Sequence, residues 1–249
     1  MSTHRVSAEG PSVIARPSLR VLPAASNAAA TTAVVLVLHG GKAASRRPTS
    51  EHQLSYWRMV PIAEALHGAV GDSGAAVWLL RNRLRGWNEP VQDAVVDARW
   101  ALAEVRSAHP GVPVVLVGHS MGARAALRVA GTDGVTAICA LAPWIEPREP
   151  VAQLAGRSVL IAHGNRDRWT MPRASFDYAE RARPVADELG RFEVRGVGHA
   201  MLRRSADWTA MVRAFVAEAV GAASRHRAIE VAMRAPAPDG LRTPLPARW

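Results

Sequence analysis

The sequence predicts an α/β fold, a mostly parallel central sheet covered by helices on both faces. Three observations carry that expectation. Short apolar runs rich in β-branched residues recur along the chain, bounded by glycine or proline, as strands buried on both faces are. Stretches with apolar residues three and four apart lie between them, the spacing of one helix face. The chain has 249 residues, 49% of them hydrophobic, enough to bury a full core in one unit.

Taken in order, residues 1–32 are rich in Ser, Ala, Pro and Thr and read as a loose arm, with SLRVL at 18–22 able to add one edge strand. The first buried strand is AVVLVL at 33–38, followed by His39, Gly40 and Gly41. Similar runs cover 75–80, 114–117, 135–141 and 158–162, and a weaker one covers 192–194. From Val91 the apolar positions Val95, Ala98, Leu102 and Val105 mark an amphipathic helix that Pro110 closes. Trp208, Met211, Val212, Phe215, Val216 and Ala219 mark another near the end. Strand and helix alternate, which argues for parallel pairing. Beyond residue 222 the pattern fails. Residues 223–249 are basic and carry four prolines, and they read as a disordered or loosely docked tail after a domain at 33–222.

Gly118-His119-Ser120-Met121-Gly122 follows the run at 114–117 and opens a helical stretch at 121–130. This is the G-x-S-x-G pattern in its strand–turn–helix setting: a serine on so sharp a bend projects its hydroxyl above the sheet, and side chains two before and two after would collide. A serine hydroxyl is a weak nucleophile and needs a base, which in turn needs an orienting acid. In this architecture the chain order is Ser, acid, His. Asp167, in His163-Gly164-Asn165-Arg166-Asp167, follows one strand, and His199, in Gly196-Val197-Gly198-His199, follows the last. The predicted catalytic residues are Ser120, Asp167 and His199, each just past a strand's C-terminal end, where open α/β sheets build their sites. Glu146 is the rival acid. Backbone N–H groups of Met121 and Gly41 are expected to form the oxyanion hole. His39 and His163 each begin a His-Gly turn and read as structural.

These motifs in order (HGG, GHSMGA, HGNRD, GVGHAM) resemble the α/β-hydrolase family over residues 34–222, most closely small serine hydrolases of the dienelactone-hydrolase and prolyl-oligopeptidase-like branches. The resemblance implies Ser120 as nucleophile, His199 as base and Asp167 as its orienter, with no cofactor and no metal. Where many relatives insert a lid, this chain has only APWIEPREPVAQLAGR, too short for a helical cap. His119, Trp87, Trp144 and Trp169, all near strand ends, are candidate walls of a substrate pocket. Arg83 and Arg85 are candidate contacts for an acidic substrate group.

The formal net charge is +10, with Lys42 the only lysine. Basic residues nowhere form a block of five, so they read as a scattered solvated surface, and no nucleic-acid partner is expected. Cys139, the one cysteine, sits inside an apolar run and reads as a small buried hydrophobe. No apolar stretch is long enough to span a bilayer, and residues 1–20 lack the apolar segment of a signal peptide. A cytoplasmic protein acting on a small acyl substrate is expected, its oligomeric state unread. The expected reaction is hydrolysis of an ester or related acyl bond through an acyl-enzyme. Peptide or amide cleavage, acyl transfer, and a non-catalytic binding role for the basic surface are the alternatives.

Overall fold

A computed structural model describes residues 15–25, 30–247 and 249. Residues 1–14 and 26–29, most of the expected arm, lie outside the described residues. The element order is β1 (Ser18–Leu22), β2 (Ala33–Leu38), α1 (Leu54–Trp57), α2 (Val60–Val70), β3 (Ala75–Arg81), α3 (Asp93–Ala108), β4 (Val114–His119), α4 (Met121–Val129), β5 (Val135–Leu141), β6 (Ser158–Gly164), α5 (Pro172–Ala182), β7 (Glu188–Val194), α6 (Ser205–Ala219), α7 (Arg227–Arg234) and β8 (Thr243–Pro244). The eight strands form one sheet in the order β1-β3-β2-β4-β5-β6-β7-β8. Every pairing is parallel except β1 with β3, which adds SLRVL as an antiparallel edge.

The all-apolar runs hide a period of two that only the fold reveals. In β2, Val34, Leu36 and Leu38 face one layer, while Ala33, Val35 and Val37 face the other. The first layer is closed by α3, α4 and α5, the second by α2, α6 and α7. All six residues of β2 are buried. β2 pairs with β3 on one side and β4 on the other, so the strand order reverses there. That switch point opens a crevice at the C-terminal ends of β2 and β4. The connection from β5 to β6, residues 142–157, holds only the single 3₁₀ turn Ala152–Leu154, so no helical lid is inserted there.

Residues 223–247 depart from the loose tail expected over 223–249. Ile229, Ala232 and Met233, spaced i, i+3, i+4, dock α7 against β7, and Leu241 and Leu245 are also buried. Arginines from the domain take up the carbonyls this segment cannot pair itself. Arg183 donates to Met233 O (2.7 Å) and Ala235 O (2.5 Å), and Arg204 donates to Leu245 O (3.1 Å). A sparse apolar stripe therefore suffices, because the backbone is satisfied by side chains rather than water.

Candidate active site

β4 ends at His119 and α4 begins at Met121, so Ser120 alone makes the turn, at φ 57° and ψ −117°. A non-glycine residue there costs about 1–3 kcal/mol and must be held by its surroundings. Here Ser120 N–H donates to Leu141 O (2.9 Å), and Ser120 O accepts from the N–H groups of Arg124 (3.1 Å) and Trp144 (3.2 Å). A Cβ on Gly122 would run into the Leu38 and His39 carbonyls, so α4 can approach β2 only with glycine at that position.

The three side chains separated in sequence meet at this bend. Ser120 Oγ lies 2.9 Å from His199 Nε2, and His199 Nδ1 lies 2.7 Å from Asp167 Oδ2. Asp167 is 6% exposed. Its Oδ1 accepts the N–H groups of Trp169 (2.8 Å) and Thr170 (3.0 Å), and its Oδ2 also accepts Thr170 Oγ1–H (2.7 Å) and His163 Nε2–H (3.1 Å). Burial opposes ionisation, but the bonds from His163, His199 and Thr170 outweigh it and hold this carboxyl far below the usual carboxylate range. Acid, imidazole and hydroxyl thus form a charge-terminated chain facing the crevice. Glu146, the rival acid, lines a cavity instead.

His39 fixes the loop after β2. Asn82 N–H donates to its Nε2 (3.1 Å), so Nδ1 carries the proton and donates to Gly40 O (2.7 Å). Burial lowers its pKa to about 4. The loop then runs so close to the elbow that a Cβ on Gly41 would collide with the Met121 side chain. Met121 opens α4, and its N–H is one of the first-turn donors with no intrahelical acceptor. His119 is 4% exposed, and its Nε2 bonds His199 O (3.0 Å). Burial, reinforced by the neighbouring His199, lowers its pKa to about 3.

Neutral buried histidines make stability pH-dependent in a defined direction. His39, His119 and His163 all have lowered folded-state values, so the unfolded chain takes up their protons first as pH falls below about 6.5. Their contribution is complete above that pH and is lost on the way down towards about 4 and about 3 for His39 and His119. Each adds up to ~1.4 kcal/mol per pH unit to the loss. Urea unfolding at pH 7, 6 and 5 should show a falling midpoint, and an unchanged midpoint would refute this assignment.

A cavity of about 840 Å³ lies beside the elbow, with Ser45, Asn88, Arg124, Trp144 and Glu146 in its wall. Arg124, 4% exposed, sits between Trp87 (4.2 Å to the ring) and Trp144 (4.6 Å), and its Nε donates to the buried Glu149 (2.7 Å). Of the four expected pocket residues, Trp144 lines this cavity and Trp169, 81% exposed, lies over the His199 ring at 5.3 Å. His119 touches His199 instead of opening onto the cavity. Trp87 is fully buried behind Arg124 and donates to Glu89, because its indole is apolar enough to close the first core layer. Arg83 is bound to Asp93 and Asp97 and Arg85 donates to Pro48 O, which commits both expected substrate contacts to holding loops.

His163 read as structural in the sequence yet bonds Asp167, and Thr170 and Ser175 are residues that motif reasoning passed over. The only signal was that His163 and Asp167 share the HGNRD stretch. Thr170 carries none, since its role depends on the loop folding back. Among the described residues, no group of three or more His, Cys, Asp or Glu side chains could hold a metal ion, and no helix is long and apolar enough to cross a membrane.

The fold is that of the α/β hydrolases. A family model described as serine aminopeptidase, S33, matches residues 29–163, and the chain belongs to that family of α/β hydrolases. No curated protein matches the chain in sequence. Among solved structures, it is similar to a lidless α/β serine hydrolase from Xanthomonas campestris (19% identity, TM-score 0.60, covering 79% of this chain and 86% of that one). It is also similar to esterase 2 of Thermogutta terrifontis phosphorylated by paraoxon (18%, TM-score 0.62, 84% and 91%). A monoacylglycerol lipase of Paleococcus ferrophilus shares the fold as well (14%, TM-score 0.59, 84% and 100%).

Proposed function

We propose that this protein hydrolyses an ester or closely related acyl bond through an acyl-enzyme. The observation that carries the reading is the unbroken chain from Ser120 Oγ to His199 Nε2 (2.9 Å) and from His199 Nδ1 to Asp167 Oδ2 (2.7 Å). Ser120 Oγ attacks the substrate carbonyl while His199 Nε2 takes its proton. Asp167 keeps the Nδ1 proton in place and stabilises the imidazolium that forms. The N–H groups of Met121 and Gly41 hold the developing oxyanion, each worth about 10²- to 10³-fold in turnover. His199 then protonates the leaving alcohol. A water deprotonated by the same imidazole releases the acid and restores the serine.

Without a lid, entry needs no interfacial opening, so monomeric soluble esters are turned over at full rate. Exposed Trp169 over His199 offers an apolar face to the substrate. The test is a fluorophosphonate probe. Stoichiometric adduct formation on the Ser120 peptide, blocked by prior incubation with paraoxon, is the expected result, and a folded protein that takes up no label would overturn the reading. The family's description as an aminopeptidase favours one second reading, amide cleavage on the same triad. Turnover of amino-acid anilides exceeding that of matched esters, after correction for intrinsic reactivity, would select it.

A further inference from the structure

Behind Asp167 lies a row of buried polar groups that the proposed reaction does not use. Arg191 on β7 is 2% exposed, Ser175 in the first turn of α5 is 0% exposed, and His163 on β6 is 0% exposed. β6 and β7 are in register at Ile161 and Arg191, so Arg191 and His163 project from the same face of the sheet towards α5. Arg191 Nε lies 3.1 Å from Ser175 Oγ, Ser175 Oγ lies 2.8 Å from His163 Nδ1, and His163 Nε2 lies 3.1 Å from Asp167 Oδ2.

The direction of donation follows from which atoms can carry a proton. Burial lowers the His163 pKa, so its ring is neutral and holds one N–H. His163 Nε2 faces two acceptors, the Asp167 carboxylate and Thr170 O (2.9 Å), and the proton therefore sits on Nε2. Nδ1 is then an acceptor and requires the Ser175 hydroxyl proton. Ser175 Oγ, having donated, accepts Nε–H from Arg191. Pro172 O, the other acceptor within reach of Ser175, is supplied by Arg191 Nη2 (3.0 Å). The far end of the guanidinium is held by Leu241 O of the C-terminal segment, 2.9 Å from Nη1. Among the described residues no carboxylate pairs with Arg191, so the row has a cation at one end and an anion at the other, the arrangement that polarises each bond in turn.

We propose that Arg191, Ser175 and His163 form a one-way hydrogen-bond relay that positions Asp167, anchored at its far end by the C-terminal segment at Leu241. These are positioning residues, and the inference rests on the reading of Ser120, His199 and Asp167 as the catalytic chain. Donation from His163 fixes the Asp167 carboxylate in the plane that receives His199 Nδ1–H, and it also draws charge from that carboxylate. The titratable groups facing Asp167 are His163, His199 and, beyond the His199 ring, His119. Glu193 and Arg242 face Arg191, and Arg58 faces His119.

The test begins with fluorophosphonate labelling of the wild-type chain. Absence of label overturns the catalytic reading and this inference with it. With label present, Ser175→Ala should lower kcat about tenfold, the effect of losing one hydrogen bond in a chain ending on a charge, with KM within twofold. The severed relay leaves Asp167 more basic, so the acid limb of the kcat/KM profile should move up by about half a pH unit. General loosening of the fold would lower kcat without moving that limb. His163→Leu should lose more activity than His163→Gln, whose amide can still donate to Asp167. Arg191→Met, which buries a side chain of similar length, should shift the limb in the same direction and add nothing further in the Ser175→Ala background. If Ser175→Ala does not fold, the Arg191→Met profile decides. An unmoved acid limb, or fully additive losses in the double variant, overturns the relay and leaves the catalytic reading standing.

Discussion

Replacing Ser120 by alanine should cut hydrolysis of p-nitrophenyl acetate by about 10⁵- to 10⁶-fold, because the nucleophile and its base act as one unit and removing either leaves only binding and oxyanion stabilisation. The change is small in volume and leaves the Ser120 backbone bonds to Leu141, Arg124 and Trp144 in place. The strained φ of 57° is disfavoured by alanine as much as by serine, so the elbow keeps its shape and Tm should move little. Loss of activity with an unchanged melting curve is therefore the expected pair of results. Equal rates in wild type and Ser120→Ala would remove Ser120 from the mechanism outright.

Asp167→Asn should cost about 10⁴-fold in kcat, for a reason visible in the hydrogen bonds around that carboxylate. Both oxygens are fully used as acceptors, Oδ1 by two backbone N–H groups and Oδ2 by His199, Thr170 and His163. An amide NH₂ must face donors whichever way it is turned. If it faces His199, the imidazole gives up Nδ1–H and carries its proton on Nε2, where it can no longer accept from Ser120. If it faces the backbone donors, the loop 167–170 is pushed apart. The variant should thus lose stability as well as rate, by about 1–3 kcal/mol for the unsatisfied buried groups. Stopped-flow hydrolysis and thermal melting on the same preparation separate the two effects. Activity within tenfold of wild type in a folded Asp167→Asn chain would show that His199 is oriented by some other group.

Much of this architecture was legible in the residues. The runs at 33–38, 75–80, 114–117, 135–141 and 158–162 became β2 to β6 with ends displaced by at most two residues, because buried parallel strands admit little besides Val, Ile, Leu and Ala. The convergence of Ser120, Asp167 and His199 was legible because each follows a strand, and in a parallel sheet all such positions gather at one edge. Less local features were hidden. Strand β7 begins at Glu188, well before the Phe192-Glu193-Val194 stretch that marks it in the sequence, because its polar residues Glu188 and Arg191 are hydrogen-bonded inside the fold. Helix α7 was missed because eight residues with a short apolar stripe cannot stand alone, and only β7 and the capping arginines make it stable. Trp87 looked like a pocket wall by its place after a strand, yet its ring turns inward against Arg124.

The sequence by itself determined the parallel sheet, the sharp turn at Ser120 and the order of the three groups that converge on it, since hydrophobic period and glycine spacing act over a few residues. Only the tertiary structure decided which other side chains surround that convergence. His163, Thr170, Ser175 and Arg191 have no shared spacing; they meet because β6, β7 and α5 bring donors and acceptors into one dry space, where pairing with one another offsets the cost of leaving water.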